Sequence, residues 1–534
     1  MSRFLVASLI TLALSTPLFA EPPAGSWKLT LPVRQPITIL FAFTQADGKW
    51  VADVVDITAK LKKEPKFKDV SVVGDAVKFT LALDDVNTIS FDGIASKDGK
   101  SMKGSMSFGG TDTLRLIELF PSKLKALTDP FEIAKEGLSQ TEDAEAAYEN
   151  AAVVLKQAAA KKMPADEVRS IIDRVSKMAT ANGRRWDRYV TLKLADLLAG
   201  QPEYAEVALA QARKAERMLT DDDEITIRMA TLEALVKTLL AAKKTDDAKP
   251  YQTQLVKLEA REWLEYAKTN PAFKVEEYKG RKAKNDRVIL VETFSGANFE
   301  ASAAVDLARD GLLKMYKPSE VIVLTYHLPL NNEVDALTVN DNYDRMKMYG
   351  EHVQRGRHGL VAGKPSIGIK QETGAKDAQL MFETLRDRIN EELELPAKVK
   401  LTLELSPGKD GFQATAKYSE LEKPGENMVL RFALAEDRIR YTGSNGVKFH
   451  QMVVRALPGG AKGFPLKVAA GEQSVTVQPH LLKQAMEKFL EEMAKDGDPI
   501  PADKVTALKN LKVVAFIQND TTSDILTAAT VDVK

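Results

Sequence analysis

The spacing of apolar and polar positions changes along the chain. From Gly25 to about Leu119 the two alternate in short runs, as in "TILFAFTQADGKWVADVVDI", "SVVGDAVKFTLAL" and "ISFDGIASKDGKSMKGSMSF". Asp47-Gly48, Asp92-Gly93 and Asp98-Gly99 punctuate these runs. Asp-Gly between apolar stretches signals a hairpin, because both residues tolerate positive φ. The pattern predicts an antiparallel meander over residues 21–122, closed into a small barrel or sandwich. From about Asp129 to Asn270 the apolar residues recur at i, i+3 and i+4, which predicts a helical region over 126–275. "RVILVETFSGANFEASAAVDLARDGLLKMYKPSEVIVLTYH" then reads as strand, turn, helix, strand. A helix near Asn342, a hairpin turning at Lys364-Pro365 and a helix from about Ala375 to Glu394 complete an α/β domain over 284–394. After Pro396 short alternating strands return, with one helix near His480, and predict an immunoglobulin-like β-sandwich over 396–534. The fold class expected is multidomain α+β.

The first twenty residues stand apart. Arg3, the apolar run "FLVASLITLAL" and the small residues of "STPLFA" describe a secretory signal peptide cut after Ala20. No stretch is long and apolar enough to span a bilayer, so the expected location is exported, in the periplasm or outside the cell. Lysine plus arginine (75) equals aspartate plus glutamate (75), and no global charge points to nucleic acid. The chain has no cysteine. Thiolate chemistry, thiolate metal sites and iron–sulfur clusters are therefore closed to it.

Two local likenesses help to organise the first half. "GSW" resembles the Gly-x-Trp opening of lipocalin-like barrels. "LADLLAGQPEYAEVALAQARKAERML" resembles a tetratricopeptide-type helix pair, with Leu194, Ala195 and Leu198 set to face Tyr204, Ala208, Ala212 and Ala215 across a Gly200-Gln201-Pro202 corner. A helical repeat of this kind presents a binding face or packs its neighbours apart.

The α/β region resembles a group of exported bacterial thioredoxin-like multidomain proteins. In that family a strand ends in Glu-x-Phe-Thr-Gly, a Cys-x-x-Cys pair opens an alanine- and aspartate-rich helix, and Tyr-His and Arg-Gly-Thr-Pro motifs follow. "VETFSGANFEASAAVDLA" keeps the frame, with Glu292, Phe294, Gly296 and Asp306 in register, and "VLTYHLPL" supplies Tyr326 and His327. "LRFALAEDRIRYTGSNGVKFHQMVVR" is similar to a Glu-Asp…His…Val-x-Arg pattern near the family's C-terminus. The resemblance implies a thioredoxin-like domain, but its reactive positions are changed. Phe299 and Ser302 stand at the cysteine positions, and His358 stands at that of the cis-proline. A non-proline cis bond costs about 2.5–4 kcal/mol, so a trans Arg357–His358 bond is expected. A phenyl ring and a hydroxyl cannot cycle electrons, so thiol–disulfide exchange is chemically unavailable.

Three readings of the altered site remain. In the first, Phe294, Asn298, Phe299, Tyr326, His327, Arg357 and His358 line a non-covalent cleft for a protein or peptide partner, with no cofactor. In the second, His358 activates Ser302 as a hydrolase nucleophile, oriented by Asp306 or Glu300. In the third, the domain is purely structural: Ser302 caps backbone and His358 is a solvated loop residue. His327, Glu333, Asp335, His352 and His358 are candidate zinc ligands by residue type, but no His-x-x-x-His pair sits on one helix, and no metal is expected.

Overall fold

The computed structural model describes residues 24–31, 37–61, 63–84, 86–109, 114–330, 334–350, 358–370, 372–493 and 505–533. The expected signal peptide, Glu333, His352 and Arg357 lie outside the described residues. The protein is mixed α+β and divides into two compact units, one ending at Leu258 and the other beginning at Glu259. Among the described residues, no helix is long and apolar enough to cross a membrane.

The first unit opens with β1 (Gly25–Leu31), β2 (Ile37–Ala46), β3 (Lys49–Ile57), β4 (Lys66–Val73), β5 (Ala76–Ala82), β6 (Thr88–Ala95), β7 (Met102–Phe108) and β8 (Arg115–Pro121). They form one antiparallel sheet in the order β3-β2-β1-β8-β7-β6-β5-β4. Its two end strands adjoin, so the sheet is barrel-like. Trp27, Phe41, Phe43, Phe79 and Phe91 fill the interior, because alternate residues of each strand point inward.

Asp47 and Gly48 (φ 51° and 77°) turn β2 into β3, and Gly99 serves between β6 and β7. Asp92-Gly93, expected as a third turn, lies instead inside β6. Gly93 pairs with Gly104 of β7. A Cβ on Gly93 would overlap the Phe91 ring and the Lys103 carbonyl oxygen. Close packing, not a bend, requires glycine here.

Helices α1 (Pro130–Gln140), α2 (Ala144–Lys156), α3 (Ala165–Ala181), α4 (Arg184–Ala199), α5 (Ala205–Arg217), α6 (Ile225–Ala241) and α7 (Thr245–Thr269) follow. Asp129 and Asp143 cap α1 and α2 by accepting from the Phe131 and Ala146 N–H groups. Leu194, Leu198, Tyr204 and Ala208 share one buried cluster, and Ala195 and Ala212 share another with α6. Alanine at these positions lets α4 and α5 approach closely.

The second unit contains β9 (Ile289–Ser295), α8 (Ala303–Met315), β10 (Val321–His327), α9 (Asn340–Met348), β11 (Gly359–Val361), β12 (Lys364–Ile367) and α10 (Ala378–Leu393). Strands β9 and β10 are parallel, and β11 is antiparallel to β9. The hairpin turns at Ala362-Gly363 (φ 50° and 80°), so Lys364 and Pro365 belong to β12. Proline is tolerated there because β12 is an edge strand.

Beyond Pro396 come β13 (Lys400–Gly408), β14 (Gly411–Ser419), β15 (Gly425–Glu436), β16 (Ile439–Arg440), β17 (Phe449–His450), β18 (Val453–Ala456), β19 (Phe464–Leu466), β20 (Gly471–Val477), α11 (Pro479–Met493), β21 (Leu511–Asn519) and β22 (Ile525–Asp532). These strands do not form a sandwich of their own. Thr325 of β10 pairs in parallel with Val453 of β18, giving one sheet in the order β12-β11-β9-β10-β18-β15-β21-β22. The separate sheet β13-β14-β20 packs on its C-terminal strands, burying Phe432, Leu434, Val513 and Ala515 against Ala414, Ala416 and Val475. The boundary drawn at residues 394–396 therefore crosses a single sheet. Backbone hydrogen bonds carry no residue identity, so alternation alone cannot tell which sheet a strand joins.

Candidate functional site

Strand β9 is buried on both faces. Ile289 and Val291 meet the helices α8 and α10, while Leu290 and Phe294 face the opposite cluster with Leu324, Tyr326 and Phe516. The chain leaves the sheet at Ser295, turns through Gly296–Phe299, makes a short 3-10 turn at Glu300–Ser302 and enters α8.

Ser302 is fully buried. Its Oγ accepts from the Gly296 N–H (3.0 Å), and its own N–H donates to the Phe299 carbonyl (2.9 Å). Phe299 is half-buried and packs on the cluster containing Ala301, Ala304 and Val305. His358 is buried. Its backbone pairs with Phe294 and Ile367, and its Nδ1 lies 3.1 Å from the Phe294 carbonyl oxygen. Burial pushes the imidazole down to about 4. Ser302 and His358 thus each bind backbone, and no hydrogen bond joins them among the described residues. The expectation of a solvated His358 is corrected: the β9–β11 pairing encloses it.

Phe294 stacks on Tyr326 with centroids 5.1 Å apart. His327 Nδ1 is 2.8 Å from Asp335 Oδ2, and both residues are buried. Asp335 also accepts from the Ala297 and Leu337 N–H groups. Burial acts to raise its carboxyl, but His327 and the two N–H groups outweigh it and hold the group below the usual range. Of the proposed cleft residues, only Asn298 and Phe299 retain partial exposure among those described. Phe294, Tyr326, His327 and His358 do not line an open cleft.

A second segment seals the turn. The Asn445 N–H donates to the Ala297 carbonyl (3.0 Å). Ser444 donates its N–H to Asn298 Oδ1 (3.2 Å) and its hydroxyl to the Asn298 carbonyl (2.5 Å). Asn445 Nδ2 reaches Asp306 Oδ2 (3.1 Å).

Two buried charge clusters underlie the site. In the first, Arg309 bonds Asp306 (3.0 Å) and Asp310 (2.8 Å). Ser295, Asn445, Gln451 and Tyr266 donate to the same carboxylates. In the second, Arg345 grips Glu292 through Nε and Nη2, both at 2.8 Å, and donates Nη1 to Gln518. Burial opposes ionisation of Glu292, yet Arg345 keeps its carboxyl below the ordinary range. The sequence marks Glu292 and Asp306 as framework positions, with Asp306 also a candidate to orient His358, and gives no prominence to Arg309, Asp310 and Arg345. The available signal was a glutamate inside an apolar strand and charges on the apolar side of a helix, since buried charges require partners.

His450 packs edge-on against His327, with centroids 4.9 Å apart. Among the described residues neither of its ring nitrogens has a hydrogen-bond partner, and Nδ1 lies 3.8 Å from Asp306 Oδ2. Among the described residues no group of three or more histidine, aspartate or glutamate side chains is arranged to hold a metal.

Neither a family model nor a curated protein matches the chain. A solved structure, HBP35 of Porphyromonas gingivalis, is similar over 47% of this chain and 77% of that one, with 13% identity and a TM-score of 0.34. Similarity at that level transfers no residue role.

Proposed function

We propose that the chain is an exported, redox-inactive thioredoxin-like protein that serves as a binding or scaffolding module in the cell envelope. The observation that carries the reading is the turn between β9 and α8. It retains the strand-to-helix junction where thioredoxin-like proteins place a reactive pair, but holds Phe299 packed and Ser302 bonded to backbone. With no cysteine in the sequence, the junction has no electron carrier. The two-layer packing of β13-β14-β20 on the main sheet supports, for the last region, an immunoglobulin-like character. Burial of Phe294, Tyr326, His327 and His358 favours partner binding on outer surfaces over binding in the former cleft.

The test has two arms. Purified protein is expected to leave insulin disulfides unreduced by dithiothreitol-recycled turnover, and a fusion carrying residues 1–20 is expected to deliver a reporter out of the cytoplasm. In envelope extract, cross-linking should recover the same partner repeatedly. Turnover above background or cytoplasmic retention would overturn the proposal. Failure to recover any partner would favour a purely structural role.

A further inference from the structure

We propose that the segment Thr442–Asn445 is an intramolecular occupant of the β9–α8 turn, a strap that fills in cis the place a polar peptide would take. The inference goes beyond the reading above, which places partners on outer surfaces, and concerns only who occupies the turn. The contacts are of the kind made by a bound peptide. Backbone meets backbone at Asn445 N–H and Ala297 O, and side chains reach the flanking groups at Asn298 and Asp306. Gly443 sits so close that a Cβ there would overlap the Ala297 carbonyl oxygen. Its φ is not in the left-handed region, so space and not backbone conformation requires the glycine. The recognised chemistry is therefore a short peptide with glycine followed by small hydroxyl and amide residues.

The strap is presented by a small hairpin. Strands β16 and β17 pair on either side of it, Ile439 with His450 and Arg440 with Phe449. Phe449 packs on Trp263 and Tyr266, both with centroids at 5.3 Å. Glu262, itself buried, accepts from Arg440 and Lys448. Anchoring the hairpin at both strands reduces the entropy lost when the strap docks and raises its effective concentration at the turn. A free peptide of the same chemistry must displace a tethered competitor.

Hydrogen exchange and peptide binding test this on the full chain. Gly443→Ala inserts one methyl group against Ala297. Ser444→Ala combined with Asn445→Ala removes side-chain contacts without adding bulk, and serves if the first variant fails to fold. In either variant the 444 and 445 amides are expected to exchange at least tenfold faster than in the wild type, with the β9 and β10 amides unchanged. A synthetic peptide, RYTGSNGVKF, is expected to bind the opened variant at least tenfold more tightly than the wild type. Unchanged exchange would overturn the strap, and equal binding or no binding to either protein would overturn its role as a peptide mimic. Neither readout involves redox activity, location or an envelope partner, so failure here is distinct from failure of the proposed function.

Discussion

Replacing Arg345 by methionine should be among the most damaging single changes in the second unit. The guanidinium is fully buried on α9 and joins three elements of the fold. It holds both oxygens of Glu292 on β9 at 2.8 Å, donates to Gln518 on β21 at 2.8 Å and to Tyr349 at 2.7 Å, and lies over the Tyr349 and Phe516 rings at 4.7 and 5.0 Å. Arg345→Met leaves Glu292 buried with the Tyr349 hydroxyl as its remaining hydrogen-bond donor among these groups. Breaking a buried pair from one side costs about 3–5 kcal/mol, because the surviving charge keeps its desolvation penalty. The double change Glu292→Met with Arg345→Met removes both charges and supplies apolar volume. It should cost roughly 1–2 kcal/mol, less than either single change, since replacing a whole buried pair is often near neutral. Trp263 provides the readout. The chain has four tryptophans, and changing Trp27, Trp50 and Trp186 to phenylalanine leaves one reporter in the second unit. Urea unfolding followed by its fluorescence gives the stability differences. A single change costing below about 1 kcal/mol, or a double change as costly as the two singles together, would refute the argument that the charges form one mutually dependent cluster.

Stability of the second unit should fall as pH drops from about 6.5 toward 4. Both His358, at about 4, and His450 lie below their ordinary value of 6.5, chiefly through burial. The folded state keeps them neutral while the unfolded chain takes up protons in this window, so their stabilising contribution is complete above 6.5 and is lost on acidification. His358 alone contributes about 3 kcal/mol across it. Urea midpoints at pH 7, 5.5 and 4.5 measure the slope, and His358→Gln should flatten it; an unchanged slope would contradict the burial assigned to the ring. Ser302→Ala should destabilise the second unit by about 1–3 kcal/mol, because the Gly296 N–H loses its buried acceptor. Esterase screening beside the wild type should show no activity lost with the hydroxyl, and an activity that disappears in this variant would restore Ser302 as a nucleophile.

The strand-to-helix junction was legible because its signals are local. An apolar run such as "VILV", the glycine at 296 and the alanine-rich segment after Ser302 each restrict backbone and burial within a few residues. The Asp47-Gly48 turn was legible for the same reason. Asp92-Gly93 misled because the same dipeptide also satisfies a wholly different demand, the close approach of Phe91 and Gly104. Arg345 was invisible as a partner of Glu292, since 53 residues separate them and nothing in either neighbourhood encodes the other.

By itself, the sequence determined the absence of thiol chemistry, the switch from two-residue to helical spacing, and the identity of the side chains at the β9–α8 junction. Those properties depend on composition or on neighbours in the chain. Tertiary structure decided that strands on both sides of Pro396 share one sheet, that Ser302 and His358 face backbone, and that Ser444 and Asn445 close the turn from about 150 residues away in the chain. Such pairings are made by hydrogen-bonding groups common to every residue and by charges that find partners only after the sheet has formed.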